Sequence, residues 1–111
     1  MRGIIRNNRN YNDGYPAFEI DIYLDKEKEF RVAHKKRVVY NLQVNNKNYL
    51  ASIRHLKHLG TWMSPYLNDL RTGERIRLSE ILIKNGFMKN ENINLKYDKK
   101  SKTLFLEKTR L

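Results

Sequence analysis

Alternation of apolar and polar residues dominates this chain and predicts a mostly β protein. Residues 18–24 alternate apolar with acidic side chains, which is the period-two pattern of a half-buried strand. Residues 38–44 and 49–53 have strand character, and the turn-forming residues 45–48 between them predict a hairpin. A second hairpin is predicted over residues 93–107, because both of its arms alternate.

One short helix is predicted near the second hairpin, from Leu78 to about Phe87. Isoleucine and leucine side chains supply its apolar face, and Ser79 is a suitable N-cap. Gly86 follows at the place where a left-handed C-terminal residue is favoured.

The remaining segments are predicted from their turn-forming residues. We expect a short strand at residues 2–6 and a loop at 7–16, which is rich in asparagine and lacks aliphatic side chains. Pro65 interrupts the apolar run 61–67, which favours an edge strand or a turn. Trp62, within that run, is predicted to lie in the core.

These elements predict an α+β fold that is mostly β with one or two short helices, a small open β-barrel or pseudobarrel. The 111 residues contain no repeat or linker, so we expect one domain over residues 1–111. No segment approaches the roughly 18 apolar residues of a membrane span, and no membrane partner is expected. The absence of cysteine excludes disulfides and fits the cytoplasmic location that we expect.

The positive charge is concentrated in one part of the chain. The net charge is +11, and residues 31–60 contain basic residues and all three histidines but no acidic residue. Such a segment predicts a positive field that attracts a polyanion and releases counterions on binding. A basic surface kept for solubility is the alternative, but solubility gives no reason to exclude acids from one segment.

No group of residues forms a convincing catalytic centre, so we expect no enzyme activity and no cofactor. Glu19 and Asp21 fall on one strand face and could share a cation in a metal-dependent nuclease. Their alternation with apolar residues instead favours the solvated side of a strand. His55 and His58 are three residues apart but lack a third ligand at a usual spacing, so no metal site is predicted.

The expected nucleic-acid-binding residues fall into three groups. Arginine and lysine neutralise phosphates, asparagine and arginine read base edges, and aromatic side chains stack on bases. A polar loop or a basic turn is the alternative for each group. The groups are a first arm (Arg6, Asn7, Asn8, Arg9, Asn10 and Tyr11), a clamp (Lys35, Lys36 and Arg37) and a second arm over residues 54–62 (with Arg54, His55, Lys57 and His58). Arg31, at the start of the acid-free segment, is also expected to bind nucleic acid.

The order of these features resembles the B3-like DNA-binding pseudobarrel, found in recognition or effector domains of certain restriction endonucleases and in plant B3 transcription factors. The resemblance lies in residues 62–67, 77–82, Gly86 and 93–97. It implies that two arms grip the major groove of duplex DNA in a sequence-specific manner. It also implies that any cleavage, as in a restriction system, belongs to a separate catalytic domain or subunit.

Duplex DNA is therefore the expected partner, and two alternatives remain. An RNA-binding or single-strand-binding β-barrel would use the same charge together with aromatic stacking. A small basic inhibitor or adaptor of the phage type, which docks on an acidic protein, would share the composition without binding nucleic acid.

Overall fold

The strands close into a small β-barrel in the computed structural model, which describes residues 1–23, 30 and 32–108. Their neighbour order is β2-β1-β7-β8-β3-β4-β5, and pairing of β2 with β5 closes this ring. The predicted fold class, mostly β with a small barrel and a short helix, is confirmed. The elements are β1 (Arg2–Asn10), β2 (Pro16–Tyr23), β3 (Arg37–Val44), β4 (Lys47–Leu56), β5 (Gly60–Asp69), β6 (Arg75–Arg77), α1 (Leu78–Lys84), β7 (Asn92–Asp98) and β8 (Thr103–Lys108).

Apolar side chains at alternate strand positions fill the barrel. Ile20, Met63 and Ile53 are partners across β2, β5 and β4, and all three are fully buried. Leu78 and Leu82 of α1 are also fully buried and join this core. Burial of one such side chain contributes about 1.5–3 kcal/mol. Because successive strand residues point to opposite faces, the neighbours of these core residues project outward.

Both predicted hairpins are present. The β3–β4 turn has positive φ at its two central residues, Asn45 (φ 49°) and Asn46 (φ 67°), as a two-residue type I′ turn requires. β7 and β8 pair antiparallel from Ile93↔Lys108 to Asp98↔Thr103. Turn-forming residues predicted the first hairpin, and alternation of the two arms predicted the second.

The helix ends as predicted but begins differently. Gly86 has φ 82°, and the N–H of Phe87 donates to the carbonyl of Leu82 at 2.9 Å, which completes a left-handed C-terminal motif. The predicted N-cap at Ser79 is wrong, because the cap residue is Arg77 and Ser79 is fully buried inside the first turn. The chain enters α1 directly from β6, so no separate capping loop exists there.

Two strands are longer or more central than predicted. β1 continues to Asn10, because a register shift between Arg6 and Arg9 lets it stay paired with β2. β5 is not an edge strand, since it lies between β4 and β2. Pro65 is accommodated because the β4–β5 register shifts between Ala51 and Ile53, and such irregularities tolerate a residue without an N–H.

Candidate nucleic-acid interface

Trp62 lies at the centre of an outward face built by four strands. Its partners are Asp21 on β2 and Arg54 on β4, and Arg54 is in turn opposite Arg37 on β3. Directly opposite residues of an antiparallel pair share a face, so these side chains form one row. Trp62 is half-buried, whereas the adjacent Met63 points into the core. The prediction of a core tryptophan is therefore wrong, and the alternation around Met63 was the signal that could have shown it.

Among the described residues, three depressions meet at Trp62, and we call the residues that line them the Trp62 face. The first, of about 310 Å³, lies between the clamp and the second arm and is lined by Lys35, Lys36, Arg37, Arg54, His55, Leu56 and Trp62. The second, of about 280 Å³, lies between the two arms and is lined by Asn8, Arg9, Glu19, Asp21, Leu59 and Trp62. The third, of about 380 Å³, shares residues with the other two and includes Arg9, Glu19, Arg37, Arg54, Trp62, Tyr66 and Arg75.

Two arginines of this face stand directly opposite each other. Arg37 and Arg54 are exposed Cα partners on β3 and β4. Among the residues that the structure describes, the ion pairs are Arg6–Asp21 and Arg77–Asp13, so neither of the opposed arginines is neutralised by a carboxylate. Like charges placed opposite in a sheet are destabilising. An anion bound between them would relieve this repulsion.

Hydrogen bonds from two backbone N–H groups join the clamp and the neighbouring His34 to the second arm. The N–H of Lys35 donates to the carbonyl of His55 at 2.9 Å, and the N–H of Lys57 donates to Nδ1 of His34 at 3.1 Å. Nδ1 of His55 lies 2.9 Å from Oγ1 of Thr61, so this imidazole is engaged within the second arm. The clamp and the second arm, which are roughly twenty residues apart in sequence, thus form one basic surface.

The other predicted residues are distributed around this surface. Asn7, Asn8, Arg9 and Asn10 are exposed at the end of β1, and Lys57 and His58 are exposed in the β4–β5 turn. Arg6 is half-buried and pairs with Asp21 at 3.3 Å, so its charge is already compensated. Arg31 lies outside the described residues.

Tyr11 occupies the interior, contrary to its predicted place in the interface. It is 5% exposed, and its hydroxyl donates to the carbonyl of Pro65 at 2.7 Å and accepts from Ser79 at 3.4 Å. Burial raises the pKa of Tyr11. Arg77 lies 4.3 Å from the centre of its ring and pairs with Asp13 at 2.9 Å, which ties the β1–β2 turn to the start of α1. Tyr11 anchors the first arm, and its sequence surroundings do not distinguish this role from exposure.

Glu19 is not the solvated carboxylate that alternation predicted. It is 8% exposed, although it lines two of the depressions around Trp62. Burial raises the pKa of Glu19, and the charge of Arg9 opposes this shift. Within the described part of the chain, its carboxyl group makes no hydrogen bond or ion pair. Asp21 is half-buried and paired with Arg6, as a surface strand position allows.

Tyr66 and Arg75 belong to the face but were not predicted from the sequence. The guanidinium of Arg75 lies 4.6 Å from the centre of the Tyr66 ring, a cation–π contact that holds the cation in place. Tyr66 also packs against Tyr11 at 5.1 Å between ring centres. Only the pairing of β5 with β6 brings these side chains together.

The described residues contain neither a metal-binding cluster nor a membrane-spanning helix. No three or more acidic or histidine side chains there are grouped to hold a metal ion. No helix among them is long and apolar enough to cross a membrane.

Comparisons with family models, curated proteins and solved structures found no match to this chain. The function is therefore argued from the Trp62 face itself.

Proposed function

We propose that this chain is a DNA-binding domain whose Trp62 face contacts the phosphate backbone of a duplex. The observation that carries the proposal is the opposed pair Arg37 and Arg54, which shares one depression with Lys35 and Lys36 and has no neutralising carboxylate among the described residues. Phosphate groups would offset the repulsion between these cations. Release of counterions from the duplex adds a favourable, salt-dependent contribution to binding.

The two arms supply the groups that read sequence. Asn8 and Arg9 of the first arm share a depression with Leu59 of the second arm. Asparagine and arginine make the bidentate contacts to adenine and guanine that distinguish base pairs in the major groove. The resemblance to B3-like barrels implies the same use of two arms. In its finer form, the proposal is a sequence-specific recognition module, as in a restriction system, with any cleavage in a separate domain or subunit.

The test is a binding titration with a labelled duplex of randomised sequence at two salt concentrations. Affinity should fall steeply with salt, and Lys35→Ala should weaken all duplexes and lower the salt slope by about one. Lys96→Ala is the matched control, because Lys96 is exposed on β7, on the far side of the ring from β5. Equal losses in the two variants, or no binding at low salt, would contradict the proposal. Co-purification of one protein without nucleic-acid binding would instead favour the adaptor class.

Half-exposure of Trp62 favours one second candidate, an RNA-binding or single-strand-binding barrel. Bases of an unpaired strand stack on aromatic side chains without regard to sequence. Competition among duplex DNA, single-stranded DNA and RNA at matched salt separates the two candidates. The emission of Trp62, the one tryptophan in the sequence, reports stacking directly.

A further inference from the structure

The depression between the two arms is lined by a carboxyl group that has no hydrogen-bonding partner among the described residues. Glu19 lines it, and none of the described residues donates a hydrogen bond to its side chain. The residue is 8% exposed, but no buried side-chain oxygen of the described residues lacks a partner, so the carboxyl oxygens of Glu19 are open to the depression. A carboxyl group that is open to a depression and has no donor from the described residues can accept a hydrogen bond from a ligand held there. The exocyclic amino group of a nucleobase is such a donor, and carboxylates accept from it in cytosine.

An aromatic wall stands beside this carboxyl group. Trp62 lines the same depression and is half-buried, so one part of the indole is fixed by packing while another part remains accessible. Bases removed from the helical stack are held by stacking on aromatic side chains and by hydrogen bonds to their pairing edge. Arg9, also in this depression, places a cation near the phosphates that flank such a base.

An exposed leucine stands at the rim of the same depression. Leu59 is 72% exposed in the β4–β5 turn, where its N–H donates to the carbonyl of Leu56 at 3.1 Å. A large apolar side chain that is so exposed has no role in the core. Proteins that unstack a duplex insert leucine and other apolar side chains between base steps.

We propose that the depression between the arms receives a single unstacked base that carries an amino group, while Leu59 enters the space that the base leaves. In this arrangement the base stacks on Trp62 and its amino group donates to the carboxyl group of Glu19. This inference rests on the proposed function, since the duplex must first bind to the Trp62 face.

The experiment compares three duplexes that differ at one central position: fully paired, with cytosine opposite an abasic site, and with thymine opposite an abasic site. The unpaired cytosine duplex should bind at least about tenfold more tightly than the paired one, because the cost of unpairing is removed. It should also quench Trp62 emission more strongly, and thymine, which lacks an amino group, should bind less tightly than cytosine.

Matched variants assign the effect to individual side chains. Leu59→Ala should weaken the paired duplex, for which the leucine must enter the stack, whereas Leu70→Ala, at another exposed leucine, should not. Glu19→Gln should reduce the preference for cytosine over thymine, whereas the exposed Glu74→Gln should not. Trp62→Phe should retain the preference for unpaired duplexes better than Trp62→Ala. Circular dichroism spectra establish that each variant is folded.

The outcomes separate this inference from the proposed function. Equal affinity for paired and unpaired duplexes, with binding still salt-dependent and weakened by Lys35→Ala, would overturn the base pocket and leave duplex binding intact. An unchanged cytosine preference in folded Glu19→Gln would overturn the role of the carboxyl group. The absence of binding to every duplex at low salt would overturn both proposals.

Discussion

Replacing Tyr11 with phenylalanine removes a single hydroxyl group from the base of the first arm and leaves the ring in place. The wild-type hydroxyl donates to the carbonyl of Pro65 at 2.7 Å and accepts from the fully buried Ser79 at 3.4 Å. A net hydrogen bond contributes about 1 kcal/mol, and leaving a buried partner unsatisfied costs about 1–3 kcal/mol. Pro65 is half-buried, so water partly replaces the lost donor. We expect Tyr11→Phe to lower the free energy of unfolding by about 2 kcal/mol.

Urea unfolding, followed by circular dichroism and by Trp62 emission, measures this change. For a chain of this size, a loss of 2 kcal/mol corresponds to a decrease in Tm of roughly 6–10 °C. Tyr15→Phe is the matched control on the same turn, because Tyr15 is 42% exposed. A double-mutant cycle with Ser79→Ala should show coupling, since the two hydroxyl groups are in contact.

The binding assay distinguishes an anchor from an interface residue. Because Tyr11 is buried, Tyr11→Phe should leave the affinity for duplex DNA unchanged under conditions where the variant is folded. If the variant is as stable as the wild type but loses affinity, Tyr11 contacts nucleic acid, and the anchoring role argued from its burial is refuted.

Three further predictions concern the arms, a buried acid and a turn. Arg9→Ala and Arg54→Ala should relax sequence preference in selections from a randomised duplex library, whereas Lys35→Ala should lower the affinity for all sequences equally. Identical behaviour of the three variants would contradict the division into arms and clamp. Burial raises the pKa of Glu19 above its ordinary value of 4.5, so the folded state binds the proton more tightly than the unfolded state does. The free energy of unfolding of the wild type should therefore increase relative to that of Glu19→Gln as the pH falls through the raised pKa towards 4.5. A difference between the two proteins that does not vary with pH would argue against this prediction. Gly60→Ala should lower the free energy of unfolding, measured in urea, by about 1–2 kcal/mol, because Gly60 has φ 87°. An added Cβ would meet no atom within 4 Å, so backbone strain would be the cause. An unchanged urea midpoint would show that the turn relaxes.

Local chemistry was sufficient to predict much of the fold. Alternation predicted the strands, and the left-handed positions Asn45, Asn46 and Gly86 lie where the turn-forming residues indicated. These features depend on neighbours a few residues apart, which the sequence displays directly. The acid-free segment 31–60 likewise predicted a basic surface, since no acidic neighbour within it offers compensation.

The site itself depended on contacts between distant segments. The partner of Trp62 on β2 and the opposition of Arg37 and Arg54 arise from strand register, and a shift of one residue would turn each side chain to the other face. The alternation of residues 18–24 shows that Glu19 and its neighbours form a strand, but it does not show that the folded barrel leaves Glu19 only 8% exposed. The amino-acid sequence alone therefore determined most of the strands and where positive charge is concentrated, but not the end of β1 or the short strand β6. Closure of the barrel decided which of those charges meet around Trp62 and which polar residues are buried, because that closure joins strands far apart in the chain.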